Sequence, residues 1–384
     1  MESWGGASQF NERCRSSGPA TKRSRSKRGE MFDVSSGRQE QRAGDDSLQI
    51  QAGRDINVGV SEDRAREIAR DTAQEVLSSF THEANAVIQD RILKLDDRVI
   101  AALVRENRLQ VFADPGFQRT YRKAQEGAAA SERDADYDLL AALLVDRAER
   151  GAQRTIRAGI ERSIEIVDRI DEEALRGLTV FQAVMQYSPM AGDIDLGLQT
   201  MNRLLGQLLN GPLPEGGEWL DHLDVLDAVR LNSMGELRKF KDFWPTAHMP
   251  GYMSAGAVDL TAPKTLTMGP LALPWMVEPH KLKEGFVRIS APSKSVFTGY
   301  YSSTPPSIVQ HLAEEADAIF HLSEIDETCR EPLMGHIRAI PKLKAIEEWW
   351  DQISGAVTVT AVGRVLARAN AERLDSENVL PPLT

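Results

Sequence analysis

Two periodicities divide the chain. Between Ser47 and Gly59, Leu48 and Ile50 alternate with Gln49 and Gln51, and Ile56 and Val58 alternate with Asp55 and Asn57. A period of two gives a strand one apolar and one polar face. Ala52-Gly53 lies between the two runs and supplies a turn, Gly53 being able to take positive φ. From Ser61 the steps become threes and fours: Ala65, Ile68, Ala69, Ala73, Val76, Leu77, Phe80, Ala84, Val87, Ile88, Ile92, Leu95, Val99 and Leu103, with no Gly or Pro among them. Ser61 suits an N-cap, and Glu62 and Asp63 fall where the helix dipole favours acids. The spacing predicts one long helix over 61–105. A stripe that narrow packs along a partner helix as a coiled coil, or belongs to the longest helix of an ordinary bundle.

Asp114-Pro115-Gly116 marks a turn, and residues 117–130 read as a short helix with Phe117, Tyr121 and Ala124 on one side. Three helices follow over 134–188. The first carries Leu139, Leu140, Leu143 and Leu144, and the second Ile156, Ile160, Ile164 and Val167. The third carries Leu175, Leu178, Phe181, Val184 and Met185 behind an Asp171 N-cap. Further helices are expected at 194–210 and 218–230. Residues 244–306 break the regime with recurrent Pro and Gly and two β-like runs, Phe286–Ile289 and Ser295–Thr298. Helical spacing returns at 305–322, 337–353 and 357–373, where Thr358 or Thr360 starts the last helix.

The predicted fold class is mainly α: a multi-helix bundle with a long N-terminal helix, preceded by a short two-stranded β-motif and interrupted by a loop-rich insertion with minor β. The divisions are a disordered basic arm (1–46), the β-motif (47–60), the long helix (61–110), a helical bundle (111–243), the insertion (244–306) and C-terminal helices with a tail (307–384).

Composition narrows the function classes. Of 384 residues, 41% are hydrophobic and 27% charged, which is globular rather than disordered. Residues 1–28 hold seven Lys or Arg against Glu2 and Glu12, so the rest is more acidic than the net charge of -11. That balance argues against non-specific nucleic-acid or anionic-lipid binding. The basic run Lys22–Arg28 reads as a solvated tail, with nucleic-acid contact through this arm as the weakest functional reading. A start at Met31 is a further reading of the arm. The two cysteines, Cys14 and Cys329, do not make a disulfide framework. No run has the roughly 18–20 apolar residues of a membrane span, and no apolar stretch follows the basic residues to make a secretory signal. A cytoplasmic protein without membrane partner or cofactor is expected.

Two strands as short as 48–51 and 55–58 are not stable alone in water. They pair either with the body of the protein or with the same segment of another chain, where Gln49, Gln51 and Asn57 suit amide ladders. The self-association residues are then Leu48, Gln49, Ile50, Gln51, Gly53, Asp55, Ile56, Asn57 and Val58, and a homo-oligomer is expected.

The stretch Gln49–Gly59, with Gly44-Asp45-Asp46-Ser47 before it, resembles a segment near the start of a family of uncharacterised bacterial proteins. Asp138-Leu139-Leu140-Ala141-Ala142-Leu143-Leu144, Arg157-x-x-Ile160 and Ala174-Leu175-x-x-Leu178-Thr179 resemble the helical block shared with abortive-infection-alpha-type proteins. Val357–Asn370, with Val362-Gly363-Arg364, Ala367 and Ala369-Asn370, is a third similar stretch. The resemblance implies a role in bacterial antiphage defence and brings no catalytic residues with it.

Candidate chemistry is sparse. His311, His321, Glu324, Cys329 and His336 fall within 26 residues, but their spacing fits no zinc arrangement. On one helix, His311 and His321 would stand about 15 Å apart. No metal site is expected. Asp193/Asp195 and Asp134/Asp136/Asp138 could bind Mg²⁺ but read more simply as helix starts. Trp349-Trp350 reads as amphipathic packing. Trp244, Tyr252, Trp275, Tyr300 and Tyr301 gather in the insertion, buried under loops or presented to a ligand. The expected function is a non-enzymatic oligomerising protein. The alternative is an enzyme with a dispersed site in 244–336, which converging His, Asp and Cys side chains would favour.

Overall fold

A computed structural model describes residues 60–232, 234–258, 276–375 and 379–383. The β-motif residues Leu48 to Val58 and the basic arm lie outside the described residues.

The stripe beginning at Ser61 forms two helices rather than one. Helix α1 (Glu62–Leu77) starts where Ser61 Oγ accepts from Arg64 N at 3.3 Å. It ends at Ser78 and Ser79, whose hydroxyls donate to the carbonyls of Glu75 (2.7 Å) and Val76 (2.6 Å). Such local side-chain bonds compete with helix continuation. Thr81 is extended, and α2 (His82–Arg105) begins after it. The two pack antiparallel: Val76 meets Ile88 and Ile92 at one end, and Arg66 Nη1 reaches Asp97 at 3.1 Å toward the other. The long helix expected over 61–105 is therefore corrected to a hairpin. Much of the apolar stripe finds its partner inside the same chain.

Helices α3 (Pro115–Ala130), α4 (Asp134–Arg150), α5 (Arg154–Ile164), α6 (Glu172–Gln186), α7 (Ile194–Leu208) and α8 (Glu218–Val225) continue the bundle. Asp171 caps α6, accepting from Glu173 N at 2.9 Å and Ala174 N at 3.0 Å. The helix expected over 218–230 stops earlier, because Asp227 takes a left-handed conformation at φ 62° that Asp tolerates. The chain then enters strand β1 (Val229–Asn232).

The region expected to be loop-rich opens with α9 (Phe240–His248). It holds a three-stranded antiparallel sheet of β2 (Ala257–Val258), β3 (Val277–Pro279) and β4 (Phe286–Ile289), with β4 in the middle. The β-like run Ser295–Thr298 is instead helical, within α10 (Lys294–Gly299), because Ser293 Oγ caps Val296 N at 3.2 Å. Next come α11 (Pro306–Phe320), α12 (Arg330–Arg338) and α13 (Pro341–Trp350); the helix expected over 337–353 starts at Pro341 as α13, and α12 lies almost wholly before that range. Strand β5 (Ala356–Val359) pairs antiparallel with β1, Val229 opposite Val359 and Asn232 opposite Ala356. Thr360 caps α14 (Ala361–Leu374), accepting from Gly363 N at 3.1 Å.

Helix α14 lies against α4, α5 and α6. Asn370 Nδ2 donates to Thr179 Oγ1 at 2.8 Å, both residues buried, and Ser163 Oγ donates to Val362 O at 3.3 Å. The stretches 138–144, 157–160, 174–179 and 357–370, far apart in sequence, thus lie on elements that pack together: α4, α5, α6, and α14 with the end of β5 leading into it. A second, smaller apolar cluster of Met276, Ile289, Phe297, Leu312 and Phe320 sits between the three-stranded sheet and α10–α11.

Candidate functional site

The α1–α2 hairpin carries the first site. Asp96, two turns before the end of α2, is 6% exposed and accepts from Tyr121 Oη at 2.6 Å and Gln125 Nε2 at 2.9 Å. Gln125 Nε2 also donates to Ala69 O at 3.1 Å, tying α3 to α1. Burial pushes the Asp96 carboxyl up to about 6, and the Tyr121 and Gln125 bonds hold it back from rising further. Beside it a cavity of about 280 Å³ opens between the two helices, bordered by Arg66, Arg70, Gln74, Gln89 and Leu93. Leu93 and Val87 are each 54% exposed, and Phe80 in the connection is 41% exposed. The hairpin therefore presents a cleft with the exposed Leu93 at its border and the buried Asp96 carboxyl, its pKa raised by burial, lining it. A signal for Asp96 was present in the sequence: it stands four residues after Ile92 and three before Val99, on the buried stripe.

The second site lies within 244–336. Cys329 Sγ is 4.0 Å from His280 Nε2, both buried, with the Lys283–Asp326 ion pair (2.7 Å) alongside. The arrangement brings Cys, His, Asp and Lys together but withholds what a thiolate nucleophile needs. His280 Nε2 pairs with Ser254 O at 2.9 Å, and its Nδ1 accepts from Leu282 N at 3.2 Å. The imidazole is thus fixed as the Nε2–H tautomer and has no lone pair for the thiol. Burial pushes the Cys329 thiol up and His280 down, opposite to an activated pair. Ser188 and His248 form another dyad, Oγ to Nδ1 at 2.8 Å. Burial lowers His248 to about 4, offset only in part by a backbone bond at Val184, which makes the imidazole a weak base.

The remaining sequence candidates separate in space. His311 is exposed on α11, and His321 caps that helix at φ 50° with its Nδ1 3.2 Å from Glu324. His336 lies on α12 with its Nδ1 3.1 Å from Asp195. Among the described residues no group of three or more His, Cys, Asp or Glu is placed to hold a metal ion. Asp193 caps α7 through Leu196 N at 2.9 Å, and both Asp193 and Asp195 bond Lys281, which lowers their carboxyl pKa values. Asp136 is buried on Ser131 and Arg133, while Asp134 and Asp138 face Arg98. Trp350 is buried between the stacked rings of Phe181 and Phe243 and donates to Arg238 O at 3.0 Å. Trp349 packs on Trp219. Trp244 and Tyr252 are fully buried, Tyr301 is half-buried and Tyr300 is exposed; Trp275 lies outside the described residues.

Arg288, missed in the sequence, is a buried guanidinium inside β4. It donates to Gly251 O (3.2 Å), Ile289 O (3.0 Å), Gly192 O and Glu278 Oε1 (2.6 Å), joining the small sheet to the segment before α7. Its position in Phe286-Val287-Arg288-Ile289 breaks the apolar run, which was the only sign of it.

Among the described residues, no helix is long and apolar enough to cross a membrane. No curated protein and no solved structure matches the chain. A family model matches residues 59–379, most of the chain, and the chain belongs to that family, whose members are uncharacterised. The match begins at residue 59 and so does not bear on the segment 48–58.

Proposed function

We propose that this protein is a non-enzymatic, self-associating cytoplasmic protein, assembled through residues 48–58 and through the outer face of the α1–α2 hairpin. The observation that supports it is the exposure of Phe80, Val87 and Leu93 on the hairpin, with Leu93 at the border of its cleft. The wiring of His280 argues in the same direction, since it removes the base from the most chemically suggestive cluster. Light scattering on the full chain, on a chain lacking residues 44–60 and on Leu93→Glu tests the proposal. A multimeric full chain with either variant shifted to monomer is the expected result; a monomeric full chain at micromolar concentration refutes it. By the segment resemblance, the assembly acts in antiphage defence. Phage plating efficiency on a bacterial host with and without the gene should then differ by orders of magnitude, and the deletion of 44–60 should abolish the difference.

The enzymatic reading keeps one favourable observation, the convergence of His280, Asp326 and Cys329. It requires a thiol that reacts at neutral pH in the folded state. Iodoacetamide labelling of Cys329 should instead be slow until denaturant is added.

A further inference from the structure

Helices α5 and α14 pack through small residues: an added Cβ at Gly159 would stand 3.6 Å from Ala361 O and 3.7 Å from Val365. At their margin this close approach leaves a cavity of about 320 Å³, within the size range of small-molecule sites. Arg150, Arg364 and Arg368 line it from two elements: the end of α4 and two successive turns of α14. No carboxylate is among its described lining residues. In a chain with a net charge of -11, three guanidiniums around one concavity are a local reversal of sign.

The guanidiniums are held from behind. Asp146, buried, binds Arg150 through both oxygens; Glu372 accepts from Arg368 Nε at 2.7 Å; Val359 O accepts from Arg364 Nη1 at 2.9 Å. Each arginine has five N–H donors, so these bonds orient the fork and leave donors over. Arg364 has no carboxylate partner among the described residues, so the group carries net positive charge. Thr155 adds a hydroxyl, and Ile156 and Val365 add an apolar wall. Oriented guanidiniums suit the tetrahedral, multiply charged oxygens of phosphate, and the apolar wall suits an organic ring.

We propose that this cavity binds a small organic phosphate of nucleoside-monophosphate size. Arg364 and Arg368 grip the phosphate, and Ile156 and Val365 bear on the organic part. The site is independent of the self-association reading. The experiment is isothermal titration of the full chain with the four nucleoside 5′-monophosphates and, separately, with inorganic phosphate. The comparison is between wild type, Arg364→Gln with Arg368→Gln, and Arg119→Gln with Arg203→Gln, a control that removes two exposed charges outside both cavities. Circular dichroism melts establish that each variant is folded. Wild type and the Arg119→Gln, Arg203→Gln control should bind at least one nucleotide more tightly than inorganic phosphate, and the Arg364→Gln, Arg368→Gln double variant should lose roughly ten-fold or more. No nucleotide binding at millimolar concentration, equal affinity for inorganic phosphate, or an unchanged double variant would each overturn the assignment. Should the double variant fail to fold, Arg364→Gln alone, exposed and without a carboxylate partner, carries the same test.

Discussion

At the scale of single residues, Asp96 and Arg288 show two ways of burying charge. Asp96 is placed among donors that suit either protonation state, and burial raises its carboxyl from 3.8 to about 6. A raised acid pKa means the folded chain keeps a proton that the unfolded chain has already released. The stabilising contribution is complete below the unfolded value, near pH 4, and is lost as pH rises through about 6. Asp96→Asn keeps acceptors for Tyr121 and Gln125 without the charge. It should be more stable than wild type at pH 7, by up to about 3 kcal/mol, and equal to it at pH 4, as read by urea unfolding. A wild type that loses stability between pH 7 and 5, relative to Asp96→Asn, would show that the carboxylate is favoured by the fold. Arg288 has no such latitude. Arg288→Leu strips donors from the carbonyls of Gly192 and Gly251 and leaves Glu278 unpaired, so a loss of about 3–5 kcal/mol is expected in the same measurement.

At the scale of elements, periodicity identified most helices because their apolar faces are buried on one side. It passed over the end of α1, where neither Gly nor Pro intervenes and the break comes from hydroxyls bonding back to Glu75 and Val76. It also took Val296-Phe297-Thr298 for a strand, because β-branched and aromatic residues dominate that run; the Ser293 cap and the burial of Phe297 decide for helix. β1 and β5 were not visible as strands, being four residues each and defined only by one another. Gly363 makes the competition between local and tertiary preference measurable. Gly→Ala within a helix ordinarily stabilises by about 1 kcal/mol. Here the new Cβ would meet Ala228 O at 2.0 Å, across the contact that joins the start of α14 to the start of β1. Gly363→Ala should therefore lower the melting temperature by several degrees. A rise would mean that α14 can slide away from β1 at little cost.

At the scale of the whole molecule, neither the hairpin cleft nor the α5–α14 cavity could have been read from local sequence. The cavity is made by Thr155 and Arg364, more than two hundred positions apart, and its arginines look like ordinary helix-surface charges until the fold brings them together. The same arrangement makes β5 and α14 structural for elements that precede them by more than a hundred residues. Removing residues from 356 onward strips β1 of its pairing strand, uncovers the faces of α4, α5 and α6 on which α14 lies, and takes the α14 partners from Ser163 and Thr179. Such a truncation should be expressed as an aggregation-prone species with native-like far-ultraviolet dichroism and no cooperative melt.

The central position of α14 also bears on how the protein is made. Synthesis proceeds from the N-terminus at a pace of roughly 5–20 residues per second. The bundle of α1 to α6 therefore emerges well before the helix that completes it. Until α14 has been synthesised and has left the ribosome, α4, α5 and α6 show solvent or a chaperone the surface that α14 will occupy. The nascent chain is most vulnerable between the emergence of α6 and that of α14, and the arrival of α14 is the event that lets this centre close.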